Sequence, residues 1–142
     1  MSLPEQIKAY IESLPEAKSV EMQELHNRIS EIMPDCKQWF LDGKDESGKV
    51  VSNPNVGYGS QIMKYADGKT KEFYQIGISA NTSGISVYIM GLADKNYLPQ
   101  TYGKEIGKAT VTGYCIKFKK LKDINPEVLD AAILSGVEQT NE

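Results

Sequence analysis

The sequence predicts an α+β fold in which an antiparallel sheet of four to five strands carries helices on one face. Two segments with helical apolar spacing open the chain, period-two alternation recurs through its middle, and another helical segment closes it. A chain of 142 residues buries most of its unfolded surface in one core, so a single domain over 1–142 is predicted.

Two opening helices are predicted over 4–13 and 16–33. Pro4 suits the first turn of a helix, where its missing N–H has no partner to lose. In the second segment the apolar residues form one stripe about 100° wide, as on a helix that packs against a core. This helix has to end at Met33, because the residue before a proline is pushed out of the α region.

A closing helix is predicted from Asn125, which caps it, with Pro126 in its first turn. Its end, residues 137–142, is expected to fray. A short helix is also predicted within 94–102, where Pro99 restricts its start.

The middle of the chain alternates as half-buried strands do. Asp67-Gly68 predicts a two-residue hairpin turn between the second and third strands. The predicted strands are 36–41, 56–66, 73–79, 85–90 and 113–119. The side chains expected to face the core are Ile85, Val87 and Ile89 in the fourth strand and Tyr114, Ile116 and Phe118 in the last.

Composition excludes several partners and compartments. A net charge of -3 argues against general binding to nucleic acid or anionic lipid, which both need concentrated positive charge. No apolar run is long enough to span a membrane, and the first ten residues lack a secretory pattern, so a cytoplasmic protein is expected. The lysines of the C-terminal third are interpreted as a solvated strand face: Lys104, Lys108, Lys117, Lys119, Lys120 and Lys122.

No catalytic constellation is visible, so no enzyme is predicted. His26 is the only histidine, and it is expected to be partly buried and hydrogen-bonded. Cys36 and Cys115 stand too far apart for a zinc motif and are interpreted as reduced, largely buried thiols. The glycines within 57–60 are followed by strand-like residues, so they indicate a bend or a close backbone approach rather than a phosphate loop.

Acidic residues suggest weak metal binding. Glu24 and Glu31 lie two helical turns apart on the outward face of the second helix, with Glu21 nearby. Exposed carboxylates bind hard cations such as ferrous iron or magnesium. The alternative is a solvated helix face on which Arg28 partly neutralises Glu24, four residues earlier.

Short patterns follow one another in order along the chain: Met33-Pro34, Val56 to Gly59, Tyr65 before Asp67-Gly68, Ile85 to Met90, Gly103-Lys104, and Tyr114 to Lys117. In this order they resemble the YdhG-like domain family, and the resemblance covers 57–133. The resemblance implies a fold like that of secretion chaperones, with helices on one side of an antiparallel sheet. The family includes a frataxin-like iron chaperone, so the resemblance also implies that iron binding is within the family's range.

The sequence therefore predicts a small non-enzymatic binding domain. Ferrous iron held loosely by Glu21, Glu24 and Glu31 is the first hypothesis. The alternative is a homodimeric module that docks a protein or peptide, without metal, through an exposed apolar surface containing Trp39, Phe40 or Tyr88.

Overall fold

A computed structural model describes residues 2–81 and 83–140. It shows an α+β fold with an antiparallel sheet, as predicted. The helices are α1 (Leu3–Ser13), α2 (Glu16–Ile32), α3 (Tyr97–Tyr102) and α4 (Pro126–Thr140), with a short 3-10 helix at Leu121–Asp123. The strands are β1 (Gln38–Leu41), β2 (Asn55–Tyr58), β3 (Gln61–Lys64), β4 (Thr70–Phe73), β5 (Ile76–Asn81), β6 (Gly84–Ile89), β7 (Thr110–Val111) and β8 (Cys115–Phe118).

The helix termini follow from local chemistry. The Ser2 hydroxyl accepts a hydrogen bond from the backbone N–H of Glu5 at 3.3 Å and so caps α1. The second helix ends at Ile32, one residue before the predicted limit. The predicted fraying from residue 137 is wrong as far as Thr140, whose buried hydroxyl donates to the carbonyl of Gly136 at 2.7 Å. Residues 141 and 142 lie outside the described residues.

The main sheet has six strands in the order β1-β2-β5-β6-β8-β7, and every neighbouring pair is antiparallel. The prediction of four to five strands omitted β7, which has only two residues and closes one edge. A separate two-stranded sheet, β3 with β4, extends from the β2 and β5 end of the main sheet.

The predicted strand 56–66 is in fact two strands. Gly59 has a φ of +80°, which interrupts the extended backbone between β2 and β3. The turn joining β3 to β4 is also longer than the predicted two residues, because the N–H of Tyr65 donates to the carbonyl of Lys69 at 2.9 Å. The predicted partner strand 73–79 is likewise divided between β4 and β5.

The core lies between the helices and one face of the sheet. The side chains of Ile85, Val87 and Ile89 are fully buried there, as predicted. The prediction that Tyr114 faces the core is wrong, because its side chain is 56% exposed. Tyr114 precedes β8, which begins at Cys115, so its side chain does not follow the alternation of Ile116 and Phe118. None of the helices in the described part of the chain is long and apolar enough to cross a membrane.

Ring and packing contacts place the helices on that same face. On α1, Tyr10 packs its ring against Phe40, with the centroids 5.7 Å apart. On α2, His26 contacts Tyr58 of β2. On α4, Gly136 lies against Ile89 of β6. The opposite face of the sheet carries the side chains that alternate with these core residues.

Candidate functional site

The face of the sheet opposite the helices carries a row of small and aromatic residues. The strand registers place five residues directly opposite one another across β1, β2, β5, β6 and β8, and all of them alternate with core residues. These five are Trp39, Gly57, Gly77, Tyr88 and Cys115. The row therefore crosses most of the sheet away from the core.

Two glycines in this row, Gly57 and Gly77, leave space on the sheet surface for the aromatic ring of Tyr74. The ring of Tyr74 lies across Gly57 and Gly77, and a Cβ added at Gly77 would approach the ring to 2.6 Å. Tyr74 is 4% exposed as a result, and burial raises the pKa of its hydroxyl. Of the two roles predicted for the glycines of 57–60, the bend is found at Gly59, whose φ is +80°, whereas Gly57 makes room for the Tyr74 side chain and not for another backbone segment.

Further rings extend the surface on both sides of Tyr74. Phe73 stacks on Tyr74 with centroids 4.1 Å apart, and Trp39 meets the edge of Phe73 at 6.0 Å. Tyr88 and Tyr114 stack at 6.4 Å with their planes 12° apart. We call these five side chains, Trp39, Phe73, Tyr74, Tyr88 and Tyr114, the aromatic face.

Hydrogen bonds and cations hold one end of the aromatic face in place. The indole N–H of Trp39 donates to the carbonyl of Gly59 at 2.8 Å. The ammonium of Lys37 lies 4.3 Å from the centroid of the indole ring and 3.0 Å from the carboxylate of Glu72. That carboxylate also accepts from the Ser60 hydroxyl, and the two partners lower the pKa of Glu72. The end at Trp39 is thus preorganised.

The sequence identified part of this surface. Trp39 and Tyr88 do lie on it, but Phe40 points to the helical side and packs on Tyr10. Phe73 and Tyr74 were missed because the break between β4 and β5 resets the alternation on which the strand prediction depended.

Of the three glutamates proposed for iron, Glu21 and Glu24 line the same cleft and Glu31 does not. The carboxylate of Glu21 accepts a hydrogen bond from the backbone N–H of Leu121. Two lysines, Lys120 and Lys122, line the cleft beside Glu24, and their positive charges would repel a cation there. Glu31 lies about 10.5 Å from Glu24 along the helix axis, too far for one ion.

Metal binding at these glutamates stays a prediction that the geometry does not favour. In residues 2–81 and 83–140 no group of three histidine, cysteine or acidic side chains is placed to hold a metal ion. Arg28 does not neutralise Glu24 as the alternative supposed. It pairs instead with Asp130 of α4, with 2.6 Å between Nη1 and Oδ2, and so ties α2 to α4.

The histidine and the cysteines have structural surroundings. His26 is half-buried and its Nδ1 lies 2.7 Å from the hydroxyl of Tyr58, as predicted for a hydrogen-bonded histidine. Burial lowers the pKa of His26 and raises that of Tyr58.

Cys36 and Cys115 are free thiols that are half-buried, whereas the prediction was that they are largely buried. Burial raises the pKa of both thiols. A raised pKa disfavours the nucleophilic thiolate.

Comparison with known proteins gives no match. No model of a protein family, no curated protein and no solved structure matches the chain. The resemblance to the YdhG-like family therefore stays a prediction from short patterns, and function has to be inferred from geometry.

Proposed function

We propose that the chain is a non-enzymatic interaction domain that binds a polypeptide partner on its aromatic face. The observation that carries this proposal is a pair of ring groups on the sheet face opposite the helices, Trp39 with Phe73 and Tyr74, and Tyr88 with Tyr114. The two groups are neighbours, because the ring of Tyr74 covers Gly77 and Gly77 stands opposite Tyr88. Large aromatic side chains supply most of the binding energy at protein interfaces, because they bury much area and lose little conformational entropy.

Rigidity of the surface supports the proposal. Tyr74 rests on two glycine positions, and Trp39 is held by its hydrogen bond to Gly59. A preformed surface has less side-chain entropy to lose when a partner binds. Tyr88 is half-buried and Tyr114 exposed, so part of the ring area is accessible.

A different polypeptide is a better occupant than a second copy of the chain. A two-fold dimer places a surface against itself. The charged residues beside the aromatic face are mainly lysines, and the carboxylate of Glu72 is already paired with Lys37. Face-to-face pairing would bring Lys71 and Lys117 of one copy close to the same cations of the other, which is unfavourable.

The cytoplasm is the compartment that this proposal assumes. Two free cysteines are typical of a reducing environment.

Iron binding is a separate prediction, tested by anaerobic calorimetric titration of ferrous iron into the wild type and a Glu24→Gln, Glu31→Gln variant. Equal heats would remove these residues from any metal site.

Selection from a random peptide library displayed on phage tests the proposal. We expect the immobilised chain to enrich peptides whose affinity falls about tenfold or more in Tyr114→Ser. Leu134→Ser is the matched control, since Leu134 is also exposed but lies on α4. Failure to enrich any peptide, or equal affinity for wild type and Tyr114→Ser, would overturn the aromatic face as the binding site. Sedimentation without peptide shows whether the chain dimerises.

A further inference from the structure

A basic cleft lies at the β8 and β7 edge of the sheet. It has a volume of about 500 Å³ and is bounded by the turn before β6, the segment before β7, the end of β8 and the 3-10 helix. Its charged lining consists of Lys108, Lys117 and Lys119 against the single carboxylate of Asp123. The hydroxyl-bearing residues Ser83 and Thr110 also line it.

The three ammonium groups have no anionic partner in the part of the chain that the structure describes. The ion pairs formed there use Lys8, Arg28 and Lys37 instead. All three lysines of the cleft are exposed. Three like charges, two from the end of β8 and one from the segment before β7, repel one another unless an anion lies between them, so the cleft favours an anionic ligand.

The basic cleft is continuous with the aromatic face. Tyr88 stands opposite Cys115, and Lys117 is the next residue of β8 on the same side of the sheet. Alternate residues of a strand lie about 7 Å apart. Lys117 also stands opposite Thr110 of β7, which carries the same surface on to the edge. One extended segment can therefore touch Tyr88, Tyr114 and the lysines together.

We infer that the partner of the aromatic face is an acidic polypeptide segment. An aromatic or aliphatic side chain of that segment rests on Tyr88 and Tyr114, and aspartate or glutamate residues beside it face Lys117 and Lys119. This inference rests on the proposed function and names the chemistry of its partner. Charge complementarity carries it, because the surface next to the rings is cationic although the whole chain has a net charge of -3.

The sequences enriched from the random library, and their affinities, test the inference. We expect an excess of aspartate and glutamate beside an aromatic or aliphatic residue, and affinity that falls as sodium chloride is raised. A Lys117→Gln, Lys119→Gln variant should bind these peptides about tenfold more weakly and show a smaller salt dependence. Lys44→Gln, Lys49→Gln is the matched control, because these exposed lysines lie beyond β1, at the other edge of the sheet.

The outcomes separate this inference from the proposed function. Enriched peptides that depend on Tyr114 but are neutral or basic, or that bind the Lys117 and Lys119 variant with full affinity, would overturn the acidic partner alone. Peptides that bind Tyr114→Ser with the same affinity as the wild type would overturn the proposed function. A fluorescein-labelled thymidine oligonucleotide is titrated in parallel, and saturable binding tighter than that of the peptides would assign the cleft to nucleic acid and overturn the inference.

Discussion

The Nδ1 atom of His26 on α2 and the hydroxyl of Tyr58 on β2 lie 2.7 Å apart, joining the longest helix to the sheet through the core. Tyr58 is fully buried, so its hydroxyl has lost its water and needs this partner. The tilted rings of the two residues, 5.7 Å apart, add packing contact at the same point.

Replacing Tyr58 by phenylalanine tests this bond. We expect Tyr58→Phe to lower the free energy of unfolding by about 1 kcal/mol, because it removes the hydrogen bond and leaves the His26 ring nitrogen without its partner. Urea unfolding measures the change as a lower midpoint at constant slope. Tyr65→Phe is the control, since Tyr65 is exposed in the β3 to β4 turn. Equal midpoints for the two variants would contradict the assigned bond.

Stability should depend on pH through His26. Burial lowers the pKa of His26 in the folded chain below its ordinary value of 6.5, so the unfolded chain binds the proton more readily. The contribution of His26 to the free energy of unfolding is then constant above pH 6.5. It falls as the pH drops from 6.5 through the lower pKa that His26 has in the folded chain. Urea midpoints measured between about pH 5 and 7, where histidine titrates, give the slope. The same slope in His26→Gln would contradict this assignment.

Glycine at position 77 is required by Tyr74. We expect Gly77→Ala to destabilise the fold by about 1–3 kcal/mol, because the new methyl group overlaps the Tyr74 ring. A double-mutant cycle checks the cause, since the same substitution should cost less in a Tyr74→Ala background. An equal cost in both backgrounds would place the strain elsewhere.

Glu21 and Glu24 should differ in their contribution to stability. Glu21→Ala leaves the N–H of the buried Leu121 without its acceptor, and we expect a loss of about 1–2 kcal/mol. Glu24→Ala is the matched control on the same helix, with an expected change within about 0.5 kcal/mol. Thermal and urea unfolding of both variants measure the difference. Equal losses of stability in the two variants would show that the hydrogen bond from Leu121 to Glu21 does not stabilise the fold.

Local periodicity explains how much of the fold was predictable. The burial of Ile85, Val87 and Ile89 follows from alternation along one strand, and the end of α2 follows from Pro34. The two-residue strand β7 is too short to show alternation. The break at Gly59 divided a predicted strand because a positive φ has no signature other than the glycine itself.

Long-range pairing explains what the sequence could not supply. Arg28 pairs with Asp130, 102 residues away, although Glu24 is the nearer partner by helical spacing. Glu21 is used by Leu121, 100 residues away. The aromatic face was only partly predicted, since Tyr74 lies in the break between β4 and β5 and its position depends on one glycine of β2 and one of β5.

The fluorescence of Trp39 gives the most direct report on binding at the aromatic face. Trp39 is the only tryptophan of the chain and lies in this face, so peptides lacking tryptophan leave its signal unmixed. Titration of a library-selected peptide should shift the emission of Trp39 saturably, with the dissociation constant found by calorimetry. Calorimetric binding that leaves the emission and the acrylamide quenching of Trp39 unchanged, and that is equally tight in Tyr114→Ser, would mean that the partner binds away from both ends of the aromatic face.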